Sequence, residues 1–144
     1  MTTEPPSIVI DASGLILGRM ASIVAKRLLQ GENIIIVNAE RSTLSGKRLS
    51  KIREAREFLE IGHPGKGPFH QRRPDRIVQR TVRGMLPRRV PKGQRALRRL
   101  RVYLGVPDEF ESAEKETLPQ ASATELKGPY FTLGEFAREI GWLG

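Results

Sequence analysis

A chain of 144 residues has room for one domain with a single core, and 38% apolar against 28% charged residues implies a modest core under a heavily charged surface. The formal net charge of +9 points to a polyanionic partner, either nucleic acid or an anionic lipid surface. The lack of cysteine excludes disulfides, thiolate-bound zinc and thiol catalysis. No apolar run approaches the ~20 residues of a membrane span, and Met1 to Ser7 has no signal-peptide core, so a soluble cytoplasmic protein is expected.

In chain order, Ser7 to Asp11 is a short apolar run closed by Asp-Ala-Ser-Gly, which predicts a strand and a turn. Leu17, Ala21, Val24, Ala25, Leu28 and Leu29 then fall on one helical face, with Gly31 as a stop. Asn33 to Asn38 is continuously apolar and β-branched within its ends, the pattern of a strand buried on both faces. Together these form a βαβ unit with parallel strands and a right-handed crossover. A second helix over Lys47 to Glu60 has a weaker stripe at Leu49, Ile52, Ala55 and Leu59, with Glu54, Glu57 and Glu60 as partners for Lys51, Arg53 and Arg56.

The stretch 63–74 holds three Pro and two Gly in 12 residues, which rules out regular structure and predicts an arm that orders only on its partner. Asp75 is read as the N-cap of a helix to about Leu86, and Lys92 to Leu100 as a short basic helix. Arg101 to Leu104 is read as a strand. The acidic, aperiodic stretch 108–125 is read as an extended surface segment with little to offer an RNA. Thr132-Leu133-Gly134-Glu135 is a capping-box pattern, and Leu133, Phe136, Ala137 and Ile140 form the stripe of a final helix.

The charge is unevenly placed. Residues 63–101 carry 13 Lys/Arg and one acid, Asp75, whereas 102–144 carry three basic residues and eight acids. On the helix after Asp75, the residues Ile77, Val78, Thr81, Val82, Met85 and Leu86 take one half of the circumference, and Arg76, Arg80 and Arg83 share the other. Like charges one turn apart repel unless an anion meets them, and a phosphate backbone offers matching spacing. The other reading is a solvated helix face whose arginines pair with remote acids of the C-terminal segment. The arm adds Lys66, Arg72 and Arg73 interleaved with Phe69 and His70, a composition suited to phosphate contact and base stacking. Arg88, Arg89, Lys92, Arg95, Arg98 and Arg99 extend the track, with the alternative that Arg98 and Arg99 flank the next strand without touching RNA. Arginine outnumbers lysine 18 to 7, favouring RNA over lipid through its planar fork and stacking face.

Signals of catalysis are thin. The turn at Gly14 sits where a dinucleotide fingerprint would, but Ile16 and Arg19 occupy its second and third glycine positions. Gly46-Lys47 lacks a phosphate loop's first glycine (Arg41) and its hydroxyl residue (Arg48). His63 and His70, the only histidines, have no acid nearby but Asp75, an unpromising basis for a metal site or for acid–base chemistry.

Four stretches carry a family resemblance. They are Ile10-Asp11-Ala12 with Leu17-Gly18-Arg19-Met20-Ala21-Ser22, Gly62 to Pro68, Arg80-Thr81-Val82-Arg83-Gly84-Met85-Leu86-Pro87, and Leu100 to Pro107. In order and content they resemble the L-thirteen family of large-subunit ribosomal proteins over about residues 8–107, in its archaeal and eukaryotic branch. The resemblance implies a three-layer α/β/α fold around a small, mostly parallel four-stranded sheet with a basic arm. It implies binding to large-subunit rRNA, a part in subunit assembly and neighbouring ribosomal proteins as partners, with no enzyme activity, cofactor, small-molecule substrate or membrane. Residues 1–107 would be the rRNA-binding domain, with the arm and basic helices at 63–101. Residues 108–128 would be an acidic extension, and 129–144 a helix packed back on the domain. Lys66, Arg72, Arg73, Arg76, Arg80, Arg83, Arg88 and Arg89 lie in or beside the matching motifs and are the implied rRNA contacts. Phe69, His70, Lys92 and Arg95 complete the candidate surface. The alternative is a free RNA-binding regulator, acting on mRNA away from the ribosome.

Overall fold

The structure is a computed structural model that describes residues 7–60 and 72–143, with Phe58, Leu59, Glu60 and Glu125 described by backbone only. Strand β1 (Ser7–Asp11), helix α1 (Leu17–Leu29) and strand β2 (Asn33–Val37) form the expected βαβ unit. β1 and β2 pair in parallel, Ile8 opposite Ile34 and Ile10 opposite Ile36. After a 3-10 turn at Ala39–Arg41 come β3 (Thr43–Ser45), α2 (Arg48–Glu60), α3 (Pro74–Gly84), α4 (Pro91–Arg98) and β4 (Leu100–Val102). The last elements are β5 (Lys115–Glu116), β6 (Tyr130–Thr132) and α5 (Leu133–Glu139). The expected α/β architecture with a four-stranded sheet is present. Its order is β4-β2-β1-β5, and its three pairings are all parallel.

The strand alternation explains how one sheet serves two cores. Ile10, Ile34, Ile36 and Leu100 face a large cluster with Met20, Val24 and Leu28 of α1 and Val78 and Val82 of α3. Val9, Ile35 and Val37 face the other way, against Tyr103, Val106, Phe110 and Ala113. Helices α1, α3 and α4 therefore share one face. Among the described residues, the opposite layer is the 3-10 turn Asp108–Phe110 and its flanking chain.

Several local expectations are corrected. Leu49 is 75% exposed and contributes nothing to the seat of α2, whereas Ile52 is buried. Arg56 reaches Glu139 of α5 at 3.1 Å, a partner outside its own helix that the sequence did not suggest. The stretch 108–125 is not an extended surface segment. It supplies edge strand β5, paired with Val9 and Ile10, and it buries Leu118, Ala121 and Ala123. A two-residue strand surrounded by acids has too little pattern to announce itself, because the pairing is made by distant β1. Arg27 ties this segment down, meeting Glu32 at 2.9 Å and Glu116 at 3.1 Å. The Glu32 hydrogen bonds hold the Arg27 guanidinium even more firmly charged than usual. β3 and β6, unforeseen, form an antiparallel pair whose last residue, Thr132, caps α5 as expected by accepting from the Glu135 N–H at 3.2 Å.

Because Leu118 is 4% exposed in the main core, Leu118→Ala should destabilise the protein by about 2–3 kcal/mol. Urea unfolding would measure it, and a loss below about 0.5 kcal/mol would mean that 108–125 is only draped on the surface.

The strand ends are joined by Asp11. Its Oδ1 accepts from the Ser13 N–H and from the Asn38 amide, both at 3.0 Å, and Asn38 sits in the left-handed region at φ 57°. Burial alone would raise the Asp11 carboxyl. The bonds from Ser13 and Asn38, with the Arg41 charge, outweigh burial and leave it below the usual carboxylate value. A folded-state pKa below the unfolded one means that the contribution is complete above about pH 4 and fades as pH falls through the lowered value. Wild type should therefore lose stability relative to Asp11→Asn between about pH 4 and pH 2, with a constant difference from pH 5 to 7. Parallel stability curves across the acid range would contradict this account.

Candidate nucleic-acid interface

Helix α3 has its N-cap two residues earlier than its sequence suggests. Arg73 is the N-cap with no side-chain capping bond, Pro74 is the first helical residue and is buried, and Asp75 lies inside the first turn. There the negative Asp75 suits the helix dipole, while its oxygens accept from the Arg76 N–H at 2.9 Å and from the Arg73 guanidinium at 3.0 Å. Proline wins the N1 position because it needs no hydrogen-bond partner there. The helix ends at Gly84, so Met85 leaves the apolar stripe and is 44% exposed, while Leu86 folds back into the core.

Val78 and Val82 are fully buried and fix the rotation of α3. Arg76 and Arg83 consequently project outward, and Arg80 lies between them, half-buried and engaged. At 100° per residue the three share a sector of about 60°. Among the described residues, no carboxylate pairs with Arg76 or Arg83. Among the described side chains, pairing with the acidic stretch 108–125 is therefore not how these two charges are met.

The connection from Met85 to Val90 carries Arg88 and Arg89, both exposed. It is clamped from below by α4. Gly93 is buried, and a Cβ there would overlap the Pro87 carbonyl, so glycine alone permits the approach. Gln94 Nε2 donates to the Arg88 carbonyl at 3.2 Å. On the outer side of α4, Lys92, Arg95 and Arg98 are exposed at intervals of three, while Gly93 and Ala96 face inward. Arg72 and Arg73 are exposed at the entrance to α3, Arg72 lying beside Gly141. Lys66, Phe69 and His70 lie outside the described residues.

From Arg72 to Arg101 the chain has twelve cations and one acid, and ten of those cations are exposed. Three of them form a group that the sequence did not bring together, since it placed Arg98 and Arg99 on the basic track and did not single out Arg101. Arg98, Arg99 and Arg101 line a groove at the strand ends with Ser7, Gly31 and Asn33. The available signal was the alternation Leu100-Arg101-Val102, which turns Arg101 to the sheet face opposite its neighbours. Among the described residues there is no cluster of three or more His, Asp or Glu able to hold a metal, and no helix is long and apolar enough to cross a membrane.

The family model for Ribosomal protein L13 matches residues 6–109. The chain belongs to the ribosomal protein L13 family. It is 49% identical over 135 residues to the large ribosomal subunit protein uL13 of Methanosarcina barkeri, covering 92% of this chain and 96% of that one. The uL13 of Methanococcoides burtonii is 47% identical over 134 residues, with the same coverage. That of Aeropyrum pernix is 43% identical over 146 residues, covering 98% and 94%. The similarity thus reaches well past residue 109 and takes in the edge strand and the C-terminal helix. These relatives are archaeal, in keeping with the branch indicated by the His-Pro-Gly-Lys-Gly-Pro arm. The family is one of ribosomal structural proteins and not of enzymes.

The clamp under Pro87 is open to a paired test. Gly93→Ala should cost about 1–3 kcal/mol, because the Pro87 backbone must move, whereas Gly84→Ala, with nothing within 4 Å, should be neutral or slightly stabilising. Equal effects in thermal unfolding would refute the close approach.

Proposed function

We propose that this chain is a structural constituent of the large ribosomal subunit that holds rRNA backbone against the face built by α3, the Met85–Val90 connection and α4. The observation that carries this reading is the pair Arg76 and Arg83, outward on a helix whose rotation is fixed by buried Val78 and Val82 and without a carboxylate partner among the described residues. Arg80, Arg88, Arg89, Lys92 and Arg95 extend the same surface, with Arg72 and Arg73 at its entrance. Arg73 shares its charge with Asp75 and contributes less than its neighbours. The arm residues Lys66, Phe69 and His70 would continue the contact by phosphate binding and stacking. Neighbouring large-subunit proteins are the expected protein partners, in the cytoplasmic ribosome, with no cofactor or small-molecule substrate.

The surface suits an extended polyanion. Its cations come from three consecutive chain segments and form a track, without the concave apolar wall that a small ligand requires. Arginine predominates, and its fork takes two phosphate oxygens at once.

Two measurements test this. The chain should co-sediment with large subunits in sucrose gradients at high salt, where a peripheral regulator would wash off. In binding to deproteinised large-subunit rRNA, Arg76→Gln/Arg83→Gln should flatten the slope of log K against log salt by roughly 1.5 to 2 while shifting the melting temperature of the free protein little. An unchanged slope with normal affinity would remove α3 from the RNA contact, and early unfolding would mean that these arginines pair internally.

A further inference from the structure

Beyond the α3 face, a second basic feature lies at the strand N-termini. Ser7, Asn33 and Leu100 begin β1, β2 and β4, which adjoin in the sheet, and an open groove of about 640 Å³ runs over this edge. Arg98 arrives from the end of α4, Arg99 from its cap and Arg101 from mid-β4. Arg99 is half-buried and donates through Nη1 to the Leu28 carbonyl at 2.8 Å, which fixes its guanidinium while leaving other N–H groups to donate. Arg98 and Arg101 are exposed. Among the described residues no carboxylate lines the groove, and nearby Glu32 is engaged by Arg27 at 2.9 Å.

The position matters as much as the charge. Leu100 and Val102 point into the core shared with α3, so Arg101 points to the other side of the sheet, with Ile35. The side of the groove that Arg101 lines therefore looks away from the α3 face. A small-molecule site would need apolar walls, and Ile35 is the one large aliphatic residue lining the groove. Three guanidiniums lining one open channel, with no carboxylate among its described lining residues, suit the phosphates of a chain running through it.

We infer that this groove is a second RNA-backbone site and that the protein bridges two separate RNA segments, one on α3 and one at the strand ends. The inference rests on the rRNA reading above. With no native cysteine, single tethering points are clean: Ser7→Cys beside the groove and Gln79→Cys on the exposed side of α3, each carrying iron-EDTA. Bound to deproteinised large-subunit rRNA, the two should cleave non-overlapping windows of nucleotides. Arg98→Gln/Arg101→Gln should abolish the Ser7→Cys window, keep the Gln79→Cys window and weaken binding by about tenfold. The inference falls if Ser7→Cys gives no cleavage while Gln79→Cys does, if the windows coincide, or if the double variant changes nothing. Failure of the unsubstituted protein to bind the RNA would instead overturn the reading on which it rests.

Discussion

The basic face depends on a small apolar contact. Helix α3 is among the most polar segments of the chain, and it is held to the sheet by Pro74, Val78 and Val82, with Leu86 following. Each buried aliphatic side chain contributes about 1.5–3 kcal/mol, enough to dock one turn after another but with little to spare. Those contacts decide the rotation of the helix and hence the direction of Arg76, Arg80 and Arg83. The burial of Gly93 against Pro87 passes the same constraint onward, since it sets where Arg88 and Arg89 emerge. The electrostatic surface is thus a consequence of packing beneath it.

The sheet carries this arrangement because it is buried on both faces. β2 is apolar at every position from Ile34 to Val37, so alternate residues can serve two cores at once. A sheet exposed on one side would have left β5 and the Tyr103–Ala113 connection without a seat. The acidic stretch is retained by such a seat: Leu118 and Ala121 enter the core, and Glu116 is engaged by Arg27. Among the described side chains, none of its other acids forms an ion pair with a cation of the basic helices.

Where the local signal was strong, the sequence was readable. β1, α1 and β2 were apparent from their periods and from Gly31, and the Thr132 cap of α5 from its hydroxyl and following glutamate. β3, β5 and β6, at two or three residues each, were not, because such short strands are defined by a partner far along the chain and not by their own composition. The start of α3 was misplaced because Asp75 and Pro74 both favour a helix beginning, and only the backbone decides between cap and first residue. The candidate surface on α3 and α4 was legible because it is helical and contiguous. The groove of Arg98, Arg99 and Arg101 was not, because Ser7, Gly31 and Asn33 reach it from the other end of the chain.

The arginines of this protein divide by what lies within reach, and that division separates scaffold from partner-facing surface. Arg27, Arg48 and Arg56 each meet a carboxylate at 2.9 to 3.1 Å, and each links elements far apart in sequence: α1 to β5, and α2 to α5. Exposed pairs of this kind contribute little stability individually, about 0–1 kcal/mol, but they fix the relative positions of elements that share few apolar contacts. Arg76, Arg83, Arg88, Arg89 and Arg95 have no such partner among the described residues, although the chain has acids enough to supply them. Internal neutralisation of that face would have stabilised the free protein slightly, at the cost of dismantling ion pairs before any phosphate could bind. Leaving the face unpaired makes the free protein self-repelling there and reserves those charges for an external polyanion.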